Sequence, residues 1–184
     1  MISPEGFLNK WNSDTYGLVN YEESVINLFS LDNQTKDFLI KAGLPESAPP
    51  FLTFETSTNG GAIRLAEKNN SLGELYDRFI YLGYTGSGNP VCINECNSQI
   101  VYIDYDNENK IVLINSSIAR LVESLPIYVE FVKKIKAENG KRAYIQKNAT
   151  KELLDWLSMS LYQIDTVSLI QDSYWEEELI SFSQ

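Results

Sequence analysis

Three short stretches hold the residue types from which reactive or ligand-binding sites are built. The first is YLGYTGSGNPVCIN, residues 81–94, in which Gly86 and Gly88 follow an apolar run over 79–82. A phosphate-cradling loop begins this way, but it needs a following helix to turn its free N–H groups on the anion. Here Pro90 lacks an N–H and Val91-Cys92-Ile93 reads as a strand, with no Gly-Lys-Ser/Thr and no third glycine at the dinucleotide spacing. The stretch is expected to be a turn between strands. The second is Asp104-Tyr105-Asp106, two carboxylates just past an apolar run. Such a pair can hold a divalent cation, as in the Asp-x-Asp element of nucleotide-sugar transferases. The series Asp-Tyr-Asp-Asn-Glu-Asn is read instead as a polar hairpin turn. A metal-dependent transferase using Asp104 and Asp106 is the weakest of the readings kept.

The third is the pair Cys92 and Cys96, in a chain without histidine. Zinc needs about four ligands, so no metal site is expected. Cys92 sits in an apolar run as a small core residue, Cys96 in a turn. Without histidine the common base for a serine or cysteine nucleophile is missing, and no Ser-x-x-Lys opens a helix. Acid pairs suited to glycosidic chemistry carry no specificity in so acidic a chain. No catalytic residue and no cofactor are assigned.

The formal net charge is −10 over 184 residues, and it is unevenly spread. Residues 116–151 are basic, with Lys133, Lys134, Lys136, Lys141, Arg142, Lys147 and Lys151, whereas 152–184 hold no Lys or Arg at all. Only Tyr144 is interleaved among those cations, so they read as a solvated helix end rather than a nucleic-acid surface, one that faces either water or the acidic tail. The overall balance disfavours nucleic acid and anionic membrane and suits either solubility alone or a basic protein partner. No apolar run approaches the roughly 20 residues that span a bilayer, and the first residues lack signal-peptide character, so a cytoplasmic protein is expected.

The elements that must position these residues are legible from period and punctuation. Ser3-Pro4 opens a helix with Phe7, Leu8 and Trp11 on one side, and residues 33–42 form another that Gly43 and Pro45 end. Strands are expected at 51–55 and 62–66, paired as a hairpin across Asn59-Gly60-Gly61, then at 78–83, 91–94, 100–104 and 110–114. Ile118, Leu121, Val122, Leu125, Val129, Val132 and Ile135 share one helix face, which Pro126 should kink or divide. Leu153, Leu157, Leu161 and Ile164 stripe a further helix, and Ser173 with Glu176 forms a capping box for the last. The expected fold is α+β, a central antiparallel sheet of about six strands packed by N-terminal and C-terminal helices. One domain spans 1–184, with helices over 1–45, sheet over 50–115 and helices over 116–184.

Four stretches occur in a fixed order: GLPESAPPFLTF (43–54), YLGYTGSGNPVCIN (81–94), QIVYIDYDNE (99–108) and VLINSSIARLVESLPIYVEFV (112–132). Together they resemble the SUKH superfamily, which includes immunity proteins of polymorphic toxin systems and the fungal Smi/Knr-type cell-wall regulators. The Gly-Leu-Pro after the second helix and the Asn115-Ser116-Ser117 junction look most like the fourth SUKH group. Trp175 and the segment around Asp165 look like that family's tail, while Pro126 departs from its pattern. The resemblance implies a non-enzymatic immunity protein that binds and blocks a nuclease- or deaminase-like toxin domain. The alternative it carries is a regulatory scaffold like the fungal relatives. Ser and Asn at 115–117 are read as caps for the helix that follows.

A basic toxin would be steered by the acidic surface. The contact residues expected are Tyr84, Asp104, Tyr105, Asp106 and Glu108 at the sheet's loops. Asp172, Glu176, Glu177 and Glu178 in the tail form a second candidate surface.

Overall fold

A computed structural model describes residues 2–11 and 13–183. Helix α1, Pro4–Lys10, starts as its sequence demands: the Ser3 hydroxyl accepts the Gly6 N–H at 3.0 Å and Pro4 occupies the first turn. Phe7 and Trp11 are buried, but Leu8 is 41% exposed and does not join them. A seven-residue helix buries only a narrow stripe. Two one-turn helices follow, α2 at Ser13–Tyr16 and α3 at Glu23–Ile26, before α4 at Asn33–Lys41. The cap of α4 is Asp32, which accepts the Thr35 N–H at 2.9 Å. Gly43 ends the helix at φ +67°, where a Cβ would stand 2.0 Å from the Val19 carbonyl. That approach lets Val19 and Leu44 exchange backbone hydrogen bonds of 2.8 and 3.0 Å.

The expected antiparallel sheet is present, its six anticipated strands joined by a two-residue seventh. Strands β1 (Ser47–Ala48), β2 (Leu52–Phe54), β3 (Ile63–Arg64), β4 (Phe79–Tyr84), β5 (Pro90–Asn94), β6 (Ile100–Asp104) and β7 (Lys110–Asn115) run in the order β1-β2-β4-β5-β6-β7, with β3 beside β4. The hairpin predicted across Asn59-Gly60-Gly61 does not form. β2 and β3 lie one after the other along the same edge of β4, Thr53 opposite Tyr84 and Ile63 opposite Tyr81. The glycines serve the excursion between them. Gly60 takes φ +90° after a short 3-10 turn, and Gly61 lies so close to the Glu55 carbonyl that a Cβ would stand 1.9 Å away. The strand expected over 62–66 stops at Arg64, where helix α5, Leu65–Lys68, begins.

Alternation sorts the sheet into two faces. Ile80, Leu82, Val91, Ile93, Ile100, Tyr102, Val112 and Ile114 meet the helices in the main core. Phe79, Tyr81, Cys92, Val101 and Ile103 point the other way and are covered by Leu65, Leu72 and Tyr76. Helix α6, Ile118–Asn139, lies on the main face with its whole predicted stripe buried. It is one helix through Pro126, where the sequence predicts a kink or a division into two helices, and the division is not found. The proline forfeits one bond to the Val122 carbonyl, and the stripe held against the sheet on both sides outweighs that loss. Helix α7, Lys151–Ile164, packs on α6 through Leu153, Leu157 and Leu161, while Ile164 stays half-buried. Helix α8, Tyr174–Ile180, returns to the sheet beside β7.

Glu95 ties the start of the fold to the sheet. Its carboxylate accepts the Ser30 N–H at 2.5 Å and two Arg64 N–H groups at 2.8 and 3.3 Å. The Arg64 guanidinium holds the Glu95 carboxyl below its usual range. A depressed carboxylate contributes stability that is present above its unfolded pKa of about 4.3 and lost as pH falls through the folded value. Glu95→Gln is therefore expected to lower stability by about 1–2 kcal/mol at neutral pH. The difference from the parent should close as urea titrations are repeated below the unfolded carboxyl range.

Candidate functional site

A buried polar knot fixes where the C-terminal helix sits. Asn115, the last residue of β7, is fully buried. It donates to Asp165 Oδ2 at 3.1 Å and Ser124 Oγ at 3.5 Å, and it accepts the Trp175 indole N–H at 3.0 Å. Asp165 Oδ2 also accepts the Ser116 N–H at 2.7 Å. The reading of Asn115 as a helix cap is thus corrected: Ser117 alone caps α6, accepting the Arg120 N–H at 3.3 Å. Asn115 instead joins β7, α6, the 165–173 segment and α8. The predicted capping box of α8 is corrected too. Ser173 donates its hydroxyl to the Ser168 carbonyl at 2.7 Å, and Glu176 accepts the Asp172 N–H at 3.3 Å. The segment is held by its own turn, which takes the Ser173 hydroxyl away from the helix end.

With α8 so placed, a cleft of about 490 Å³ opens between it and the sheet. Pro50 and Phe51 form one wall, the 85–89 turn a second, and Tyr102, Tyr174, Glu177 and Glu178 the remainder. The glycine-rich stretch is the strand-to-strand turn its sequence indicated. Thr85 and Asn89 close it with a 2.9 Å backbone bond, and Gly88 sits at φ +83°. Gly86 has a packing duty: a Cβ there would lie 2.8 Å from the Phe51 Cβ. Phe51 itself holds a left-handed φ of +62°, stacks on Tyr144 at 6.2 Å and is 63% exposed. Gly86→Ala is expected to cost about 1–2 kcal/mol and to displace the Phe51 ring, visible as a shift of its aromatic proton resonances.

The two carboxylates of the cleft differ in how they are held. Glu178 accepts the Lys147 ammonium at 2.8 Å and the Tyr128 hydroxyl in a short bond. Glu177 is exposed and accepts the Tyr102 hydroxyl at 3.0 Å. Burial, then Glu177, then Asp104 push the Tyr102 phenol well above its usual range, so it stays a donor at neutral pH. Tyr174 is raised mainly by burial and donates to the Pro50 carbonyl, fastening the 49–51 loop to α8.

The predicted contact residues divide among several places. Glu177 and Glu178 line the cleft, and Asp104 lies close enough to act on Tyr102. Asp104 also fixes the β6–β7 turn, accepting the Asn89 amide at 3.4 Å and the Asp106 N–H at 3.3 Å. Asp106 and Glu108 are exposed in that turn. Asp172 pairs with Lys110 at 3.3 Å. Tyr105 accepts a bond from Asn69 at 3.2 Å, among the residues that cover the opposite face. Tyr84 lines a separate recess with Leu18, Glu46 and Glu55. Sequence reasoning missed Phe51, Tyr102 and Tyr174. Strand parity offered one signal, since Tyr102 and Asp104 share a face of β6, but the exposure of Phe51 depends on its backbone conformation. Among the described residues no group of three or more Cys, Asp or Glu is placed to hold a metal ion, and no helix is long and apolar enough to cross a membrane.

Neither the curated proteins nor the solved structures contain a match to this chain. The family model described as SUKH-4 immunity protein matches residues 4–181. That span takes in the Asn115–Asp165–Trp175 knot, both walls of the cleft and all seven strands, and the chain belongs to the SUKH-4 immunity protein family.

Proposed function

We propose that this chain is a non-catalytic, cytoplasmic immunity protein that neutralises a cognate toxin domain by binding it directly. Family membership carries the reading, and the described surface supports it. The Asn89, Tyr102, Tyr174, Glu177 and Glu178 side chains at the cleft are engaged in hydrogen bonds that hold rings and loops in place, a geometry suited to contact. The family resemblance suggests a nuclease- or deaminase-like toxin, and the net charge of −10 favours a basic partner over nucleic acid or anionic membrane.

Co-expression with the C-terminal domain of an adjoining toxin gene tests the proposal. Cells are expected to survive with this chain and to die without it; equal death in both overturns the reading. Electrostatic steering adds a kinetic expectation: the association rate should fall about tenfold or more from low to high ionic strength, measured by stopped flow. A rate indifferent to salt would remove charge from the explanation.

A further inference from the structure

We propose that the cleft between α8 and the 85–89 turn receives an arginine side chain presented by the toxin, stacked on Phe51 and paired with Glu177. This rests on the immunity reading and names the chemistry of its contact. The cleft is lined by two carboxylates and three aromatic rings, with no Lys or Arg among its lining residues. Its volume of about 490 Å³ lies within the roughly 300–1,000 Å³ range of pockets that engulf a ligand group, so it suits a side chain on a protruding loop.

The two acids are not equivalent. Glu178 already holds a cation of this chain. The Lys147 ammonium lies 2.8 Å from its carboxylate, 4.2 Å from the Phe182 ring centre and 5.6 Å from that of Tyr144. A carboxylate backed by ring faces is thus a cation box this fold already builds once, and the cleft repeats its ingredients on the open side of α8. There Glu177 is exposed, with the Tyr102 hydroxyl at 3.0 Å on one oxygen. Phe51 offers a largely exposed ring, stacked on Tyr144 at 6.2 Å on one side, held outward by a backbone at φ +62° and packed against Gly86. Asp104, which accepts the amide of the lining residue Asn89 at 3.4 Å, adds a further negative charge beside the cleft.

A planar guanidinium fits this set better than an ammonium does. It stacks flat on a ring while its fork of N–H donors reaches a carboxylate in the same plane, and it is more weakly hydrated. An ammonium is a point charge that gives up more hydration on entry.

Nα-acetyl-arginine methylamide is the probe, titrated into the full chain and followed by amide chemical shifts, with the lysine counterpart alongside. Saturable shifts confined to residues 85–89, Phe51 and Glu177 are expected, with affinity at least about fivefold weaker for lysine. Glu177→Gln and Phe51→Ala should abolish them, while Glu74→Gln, on the other face of the sheet, should not. Shifts spread evenly over the acidic surface, or equal for the two probes, overturn the proposal. The same variants are then measured against the toxin domain, with thermal melts confirming that they fold. A loss of affinity of tenfold or more for Glu177→Gln and Phe51→Ala supports the assignment. Variants that bind within twofold of the parent overturn it and leave the immunity reading intact. Failure of the parent itself to bind the toxin, with arginine still mapping to the cleft, overturns the immunity reading and the toxin as the arginine's source, while the cleft's preference for guanidinium stands.

Discussion

Trp175→Ala is expected to lower the free energy of unfolding by about 3–5 kcal/mol. Trp175 is fully buried, and its ring packs between Tyr128 at 5.5 Å and Tyr174 at 5.2 Å. Truncation would leave a cavity in the main core and orphan the Asn115 side-chain oxygen Oδ1 that accepts the indole N–H at 3.0 Å. Both losses act at the point where α8 joins the sheet. The cleft should therefore suffer even in conditions where the rest of the chain stays folded. Urea denaturation gives the first effect. Hydrogen exchange at residues 174–180 gives the second, as protection lost there before it is lost in β5 or β6. Trp175→Phe keeps most of the volume and removes the donor. Its smaller loss would apportion the effect between packing and the hydrogen bond.

Asp165→Ala should cost about 3 kcal/mol, although it removes far fewer atoms. Asp165 is 5% exposed, and its Oδ2 accepts both the Asn115 amide and the Ser116 N–H. Removing it strands a donor of buried Asn115 and the half-buried Ser116 N–H, where a desolvation penalty of about 1–3 kcal/mol applies to a fully buried group. Asp165→Asn retains an acceptor and should recover much of the loss. Because Asp165 and Trp175 meet through Asn115, the double variant Asp165→Ala/Trp175→Phe should cost less than the two single changes added. A coupling of about 0.5–3 kcal/mol is the expected size for residues in one network. Strict additivity would show that the two contacts to Asn115 act independently.

These residues also show where sequence reasoning reaches and where it stops. Period and punctuation set out the sheet and the α6 and α7 stripes, because burial on one face imposes a repeat that can be read along the chain. The edge of the sheet was harder. Asn59-Gly60-Gly61 carries the composition of a hairpin turn, yet its glycines serve a close approach to Glu55 that only the fold creates. At Asn115, side-chain chemistry was compatible with a cap, and the partners that claimed it lie 50 and 60 residues further along. The acids of the cleft were visible as acids, but what distinguishes Glu177 from Glu178 is the arrival of Lys147 from a different segment. Phe51 was unreadable as an exposed ring, since that exposure follows from one backbone angle and the glycine at position 86.

A titration separates binding from chemistry most directly. Fixed amounts of toxin domain are mixed with rising amounts of this chain, and residual toxin activity is read at several incubation times. Blocking by contact predicts activity that falls in proportion to added protein, ends near one equivalent and does not drift with time. Progressive inactivation at a small fraction of an equivalent would contradict it, because one molecule would then be processing many.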